Sequence, residues 1–168
     1  KRRCPMAAAN KLASIVAKIN QLPEFARPKA LSLFFGKAVP FTGTTGIRIE
    51  ALDQERCVIS LKNKRRVQNH IKGVHAVASL LLAESATGFL VGLNVPDDKV
   101  PVIKTAHAEY TRRAKGDMKV EAYLTAEQRE RMLTEEKGET SVPVTIHDSE
   151  GQQPIEIEMI WAWTPKRR

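Results

Sequence analysis

The chain has 168 residues, 42% hydrophobic and 27% charged, enough to close one core without disulfide or metal staples. Apolar clusters recur along its whole length, which excludes a disordered chain. A formal charge of +8 asks for an anionic partner.

That charge is concentrated at Lys1–Arg3, Lys62–Arg66, Arg112–Lys115 and Lys166–Arg168. Aromatic residues make up only 5%, and just Tyr110 accompanies an internal basic run, so the footprint stands without a recognition motif and argues against nucleic acid. Cys4 and Cys57 form no CxxC pair and fit no zinc spacing; they read as reduced thiols of a cytoplasmic protein. Met6–Ala9 is followed by the charged Lys11 and Lys18, so no secretory leader is expected.

Leu12, Ile15, Val16 and Ile19 recur at helical spacing until Pro23. A second short helix is expected from Pro28, carrying Leu31, Phe34 and Phe35, with Gly36 and Pro40 closing it. Phe41-Thr42-Gly43-Thr44-Thr45-Gly46 reads as a turn-rich connector. Ile47, Ile49 and Ala51 then alternate with Arg48, Glu50 and Leu52, and Asp53-Gln54-Glu55 turns into a strand over Cys57–Leu61.

After a basic loop and the long apolar run Val74–Val95, Val100–Ala114 predicts one long strand. Gly116-Asp117 is the expected hairpin turn into the alternating Met118, Val120, Ala122 and Leu124. Thr125 with Gln128 makes a capping box that opens a polar helix ending at Gly138. Its acids between Glu127 and Glu139 are balanced by Arg129, Arg131 and Lys137 on a solvated face. Val142, Val144 and Ile146 alternate, Ser149-Glu150-Gly151 turns, and Ile155 to Trp163 form the last strand, where Trp161 and Trp163 pack core or interface. The plan is α+β: a curved antiparallel sheet needs its apolar face covered, and only the long central run is apolar enough to cover it.

Val74–Val95 is long enough to cross a membrane. Against a span, Glu84 sits near its middle, where an acid costs about 2.5–3.5 kcal/mol to insert, and Ser79, Ser85 and Thr87 interrupt it. A helix apolar all round in a soluble protein is wrapped by sheet, or by sheet plus a second subunit. The carboxylate of Glu84 then needs an explanation. Either it bonds a neighbouring backbone group or Arg112, or it is a general base or nucleophile in a dry pocket.

Asn69-His70-Ile71-Lys72-Gly73-Val74-His75-Ala76 leads into this helix through a glycine. The first-turn N–H groups lack intrahelical partners and favour a developing oxyanion. His70 and His75 do not face together and have no HExxH or CxxC companion, so no metal is expected. Nine positions separate His75 from Glu84, or about 13 Å of helix rise. Glu84 cannot serve the amides at its own helix start. If both act in one reaction, a two-fold dimer with antiparallel central helices must supply two composite sites.

Asn69, Gly73, His75 and Ala76, with Glu84 nine residues after the histidine, resemble the signature of hotdog-fold thioesterases of the phenylacetate-pathway type. Glu109 to Asp117 resembles the strand-turn-strand that follows the helix there. Val39-Pro40-Phe41 and the His-Ala helix start are similar to a hotdog domain of unknown function grouped with thioesterases. The resemblance covers roughly residues 30–164 and implies a hotdog fold assembling as a homodimer or dimer of dimers. With the length and the N-terminal helices, the reading is a single domain over residues 1–168, with a helical extension over 1–40 and a hotdog core over 45–164.

It also implies hydrolysis of an acyl-CoA thioester, with CoA as part of the substrate and no separate cofactor. Glu84 would be base or nucleophile. The N–H near Ala76, with His75 at the helix start, would polarise the carbonyl, and Asn69 would help position substrate or water. Arg112, Arg113 and Lys115, together with Arg65 and Arg66, would hold the CoA phosphates. One departure stands out: the family's paired glycines after the histidine are Ala76-Val77 here, which leaves open a non-catalytic protein that binds an acyl thioester or lipid-like ligand.

Overall fold

The computed structural model describes residues 10–167. Lys1–Arg3, Cys4, Met6–Ala9 and Arg168 lie outside the described residues. Three helices come first, α1 (Lys11–Ile19), α2 (Arg27–Ala38) and α3 (Pro40–Thr45). Then follow strands β1 (Arg48–Leu52) and β2 (Arg56–Leu61), the long helix α4 (Ala76–Asn94), β3 (Lys99–Tyr110) and β4 (Met118–Tyr123). A short helix α5 (Ala126–Thr134) precedes β5 (Gly138–Ser141), β6 (Val144–Asp148) and β7 (Ile155–Pro165).

All strand pairs are antiparallel, in the orders β1-β2-β4-β6 and β3-β7-β5. β5 and β6 are two halves of one chain segment that crosses between these groups. Pro143 interrupts it, yet the Val142 N–H still donates to the Met159 carbonyl at 2.9 Å and the Tyr123 N–H donates to the Pro143 carbonyl at 3.2 Å. The two groups thus join into one curved sheet around α4, which is the hotdog fold.

α4 is long and apolar enough to cross a membrane by length and composition, but here it is the core. Leu82, Ala83, Ala86, Leu90, Val91 and Leu93 are fully buried against Ile59, Val120, Met159 and Trp163. Its first turn is capped by the His75 imidazole, whose Nδ1 accepts the Val77 N–H at 3.1 Å. Asn10, just before α1, closes the other end by donating to the carbonyls of Gly92 (2.7 Å) and Val95 (2.6 Å). The N-terminal extension is therefore docked on the central helix.

Several expectations need correction. Gly36 does not end α2; it lies inside the helix, and a Cβ on Gly43 would fall 2.5 Å from its carbonyl oxygen. The connector after Pro40 is the helix α3, because this glycine pair lets the backbones touch at a tight corner. In β1 a bulge between Ile49 and Ala51 shifts the register, so Leu52 rather than Ala51 enters the core. Gly116-Asp117 is not a hairpin turn. β3 pairs with β7, and β4 pairs with β2 and β6, because residues 111–117 carry the chain across the sheet.

α5 has its capping box but stops at Thr134, short of Gly138. The Lys99 ammonium gathers the carbonyls of Met132, Leu133 and Glu135 at 2.8–3.1 Å and caps it there. Arg129 is not on a solvated face; it is buried and reaches Glu55 at 3.3 Å.

Trp161 and Trp163 both pack in the core. The Trp161 Nε1–H donates to Thr87 Oγ1 at 2.9 Å, and that hydroxyl donates to the Ala83 carbonyl at 2.7 Å. Gly88 makes room, since a Cβ there would lie 2.7 Å from the indole. Thr87→Val keeps the shape but leaves the indole N–H without an acceptor. It is expected to lower the unfolding free energy in urea by about 1–3 kcal/mol.

Candidate active site

α4 is not wrapped on every side. Val77 is 56% exposed, and Leu80, Glu84 and Gly88 are half-buried, a stripe at helical spacing that the chain's own sheet covers only in part. Glu84 lines a cavity of about 170 Å³ with Val39, Ser85, Gly88, Phe89 and Trp161. Its carboxylate has no hydrogen-bond or ion-pair partner among the described residues, and Arg112 pairs with Glu150 instead. Burial pushes the Glu84 carboxyl above its ordinary range, with no cation to hold it down.

A second cavity, of about 420 Å³, lies at the start of the same helix. It is lined by Asn69, Gly73, Ala76, Tyr110, Arg112 and Arg113 among others, and by none of the residues around Glu84. Asn69 builds its floor. Its Oδ1 accepts the N–H groups of Ile71 (3.1 Å) and Gly73 (3.0 Å), fixing the loop in which Lys72 takes the left-handed φ of 61°. This use of Oδ1 leaves the Nδ2 donors available.

The Val77 N–H is occupied by His75, while the Ala76 N–H has no acceptor among the described residues. Tyr110, which also lines the cavity, donates its hydroxyl to the Ala76 carbonyl at 2.8 Å. It ties the end of β3 to the helix start, and burial raises its phenol.

The basic residues divide. Arg113 donates to the Ile71 carbonyl at 3.0 Å and lines the cavity with Arg112. Lys115 stands behind them, paired with Glu150 at 2.9 Å, while its backbone N–H donates to Asp148. Arg65 and Arg66 lie outside the lining, and the Arg66 guanidinium packs where Gly46 has no side chain. Burial would raise the Asp148 carboxyl, but the N–H groups of Gln152, Lys115 and Glu150 outweigh it and hold the group low.

The one thiol described, Cys57, is buried and pushed far above its ordinary range, so it is not a nucleophile. No group of three His, Cys, Asp or Glu able to hold a metal occurs among the described residues.

One curved antiparallel sheet around a long apolar helix makes this a hotdog protein, the fold of solved structures titled as thioesterases. The chain belongs to the family described as domain of unknown function DUF4442, which matches residues 27–163. Among solved structures it is similar to a Pseudomonas aeruginosa protein of unknown function titled "Probable Thioesterase", with 25% identity and a TM-score of 0.74, covering 86% of this chain and 97% of that one.

It is also similar to a thioesterase from Haemophilus influenzae (15% identity, TM-score 0.65, 82% and 90% covered). A mutant thioesterase from Staphylococcus aureus is a third such structure (17%, 0.62, 76% and 100%). No curated protein matches by sequence.

A raised carboxyl that must ionise in the fold costs stability once the pH passes its unfolded value, near 4.3, and the cost grows until the raised folded value is passed. Glu84→Gln removes that cost. The variant should melt above the wild type at pH 7–8, and the two should converge near pH 4. Equal melting temperatures across that range would show that Glu84 is not held in a desolvated site.

Proposed function

We propose that the chain is an acyl-CoA thioesterase-like hydrolase whose two half-sites come from two copies of the chain. The observation that carries this reading is the unpartnered Glu84 in its own cavity, separated on one helix from the free Ala76 N–H. Nothing within one chain joins them.

The uncovered edge of the sheet supports the same reading. At one edge, the short bulged β1 is covered by α2, whose Ser32 hydroxyl accepts the Ile49 N–H at 2.9 Å. At the other, the 12-residue β3 is open and exposes Val100, Val102 and Ile103. Pro101, Lys104 and a register shift between Ile103 and Thr105 blunt part of this edge, but its exposed apolar residues leave it available for pairing. Pairing β3 with a second β3 about a two-fold axis would set the central helices antiparallel and bring Glu84 of one copy toward Ala76 of the other.

In that site Glu84 acts as base or nucleophile. As base it takes a proton from water, whose oxygen attacks the thioester carbonyl carbon. The oxyanion is received by the Ala76 N–H, the C–S bond breaks, and the leaving thiolate takes the proton back from Glu84, giving acid and free thiol. Asn69 Nδ2 orients the acyl oxygen or water, and Arg112 and Arg113 stand where a phosphate-bearing carrier would enter. A binding-only reading draws on one feature: His75 already occupies the Val77 N–H, leaving fewer donors for an oxyanion.

Two experiments test this. Across a panel of acyl-CoAs, Glu84→Ala should lose about 10²–10⁴-fold in kcat. Near-zero rates for wild type and variant alike would leave only binding. Ala76→Pro deletes one N–H at the first helical position, where proline is tolerated, and the preceding His75 is already extended (φ −62°, ψ 140°).

Ala76→Pro should therefore fold and lose about 10²–10³-fold in kcat. Mixing it with Glu84→Gln should restore about one quarter of wild-type activity, since each hybrid dimer holds one intact composite site. A site built within one chain gives no rescue.

A further inference from the structure

The cavity beside Glu84 is walled by residues that cannot easily move. Trp161 is held by Thr87 and by the missing side chain at Gly88. Phe89 packs at a tilt against Phe35 of α2, with ring centroids 4.2 Å apart, and Phe35 is itself met edge-on by Phe34 at 5.2 Å.

The remaining wall is Val39, the single residue between α2 and α3. Its position is fixed by the corner it occupies. Pro40 starts α3, Val39 donates its N–H to the Phe35 carbonyl at 2.8 Å, and Gly36 and Gly43 bring the two helix backbones into contact. Val39 is 40% exposed, so its side chain stands at the rim of the cavity and not in the core.

We infer that Val39 and Trp161 set the length of the acyl group by closing the Glu84 cavity at the size of a short chain or a single ring. This rests on the hydrolase reading of Glu84 and names its substrate class. A sealed dry cavity of about 150 Å³ takes one benzene molecule; the Glu84 pocket, about 170 Å³ and open on the side of the exposed stripe, offers between Val39 and Trp161 room of that order, for an acyl group of about four to six carbons or one ring. The lining is apolar and aromatic apart from Glu84 and the buried Ser85, which suits an unsubstituted hydrocarbon and not a polyhydroxylated group. The helical extension is thereby part of the site: α2 and α3 hold the residue that limits the substrate.

The test uses the full chain with acetyl-, butyryl-, hexanoyl-, benzoyl-, decanoyl- and palmitoyl-CoA. In parallel, calorimetric Kd values are measured for the non-hydrolysable S-(2-oxoalkyl)-CoA thioethers of the same chain lengths. Wild-type kcat/KM and affinity should both peak at butyryl to hexanoyl or benzoyl, and fall at least about tenfold by decanoyl. Val39→Ala should raise the decanoyl-to-hexanoyl ratio about tenfold, and Val39→Phe should lower the hexanoyl-to-acetyl ratio by a similar factor.

Circular dichroism and melting confirm the fold of both variants, whose site of change is at the rim. Turnover with a flat or long-chain profile, or with ratios that neither variant moves, overturns the inference and leaves the hydrolase reading standing. No turnover on any thioester, with Kd values that follow the expected profile and shift in both variants, sustains the inference about the cavity and overturns the hydrolase reading.

Discussion

The structure depends on one mismatch: α4 is apolar all the way round, and the chain's own sheet covers only part of it. Burial of Leu82, Leu90 and Leu93 against the sheet drives the fold, because each fully buried aliphatic side chain contributes about 1.5–3 kcal/mol. The stripe Val77, Leu80, Glu84 and Gly88 receives only part of such cover. The same face holds the acid that bears a desolvation cost with no compensating cation. A desolvated acid without a cation and an open sheet edge in the same chain are the features on which the proposed composite site rests.

The two ends of α4 are treated differently, and the difference concerns donors. At the C-terminal end the carbonyls of Gly92 and Val95 are taken by Asn10, and Asn94 donates to the Gln54 carbonyl at 3.0 Å. At the N-terminal end the imidazole of His75 takes the Val77 N–H and the Ala76 N–H is left over. The histidine thus acts as an N-cap, a role ordinarily given to Ser, Thr, Asp or Asn. The loop before it, pinned by Asn69 Oδ1, directs the chain into that first turn. Asn69, His75 and Ala76 form one backbone device, in which two side chains arrange the surroundings of a third residue's amide.

Most of the fold was legible because it rests on local periodicity. The alternation of Met118, Val120, Ala122 and Leu124 and the capping box at Thr125 depend only on near neighbours, and both are present. Features that depend on contacts distant in sequence were not legible. Gly36 and Gly43 read as breakers because their purpose, a backbone contact between two helices, involves positions seven apart on either side of a corner. The bulge in β1 and the early end of α5 under Lys99 have the same origin.

In the site, Glu84 and the helix start stood out through charge and spacing, and helix geometry alone separated them. Tyr110 and the walls of the Glu84 cavity did not, since only strand register brings Trp161 beside Gly88, and only the α2–α3 corner brings in Val39.

That corner also bears on the Ala76-Val77 departure. In a site where the helix start approaches the substrate, side chains in place of two glycines would crowd the carbonyl. Here Val77 points its bulk into the partly covered stripe, more than half exposed, and Ala76 is exposed as well. Val77 lies outside the lining of its own chain's cavity around Asn69 and Arg113, whereas Ala76 is part of it. In the proposed dimer the Val77 side chain would act on whatever covers the stripe, and the Ala76 methyl on the cavity within its own chain. In the proposed site, the side chains at 76 and 77 and the closure of the Glu84 pocket by Val39 would act in the same direction: both would reduce the room for an acyl group, one at the reacting carbonyl and the other at the chain's far end.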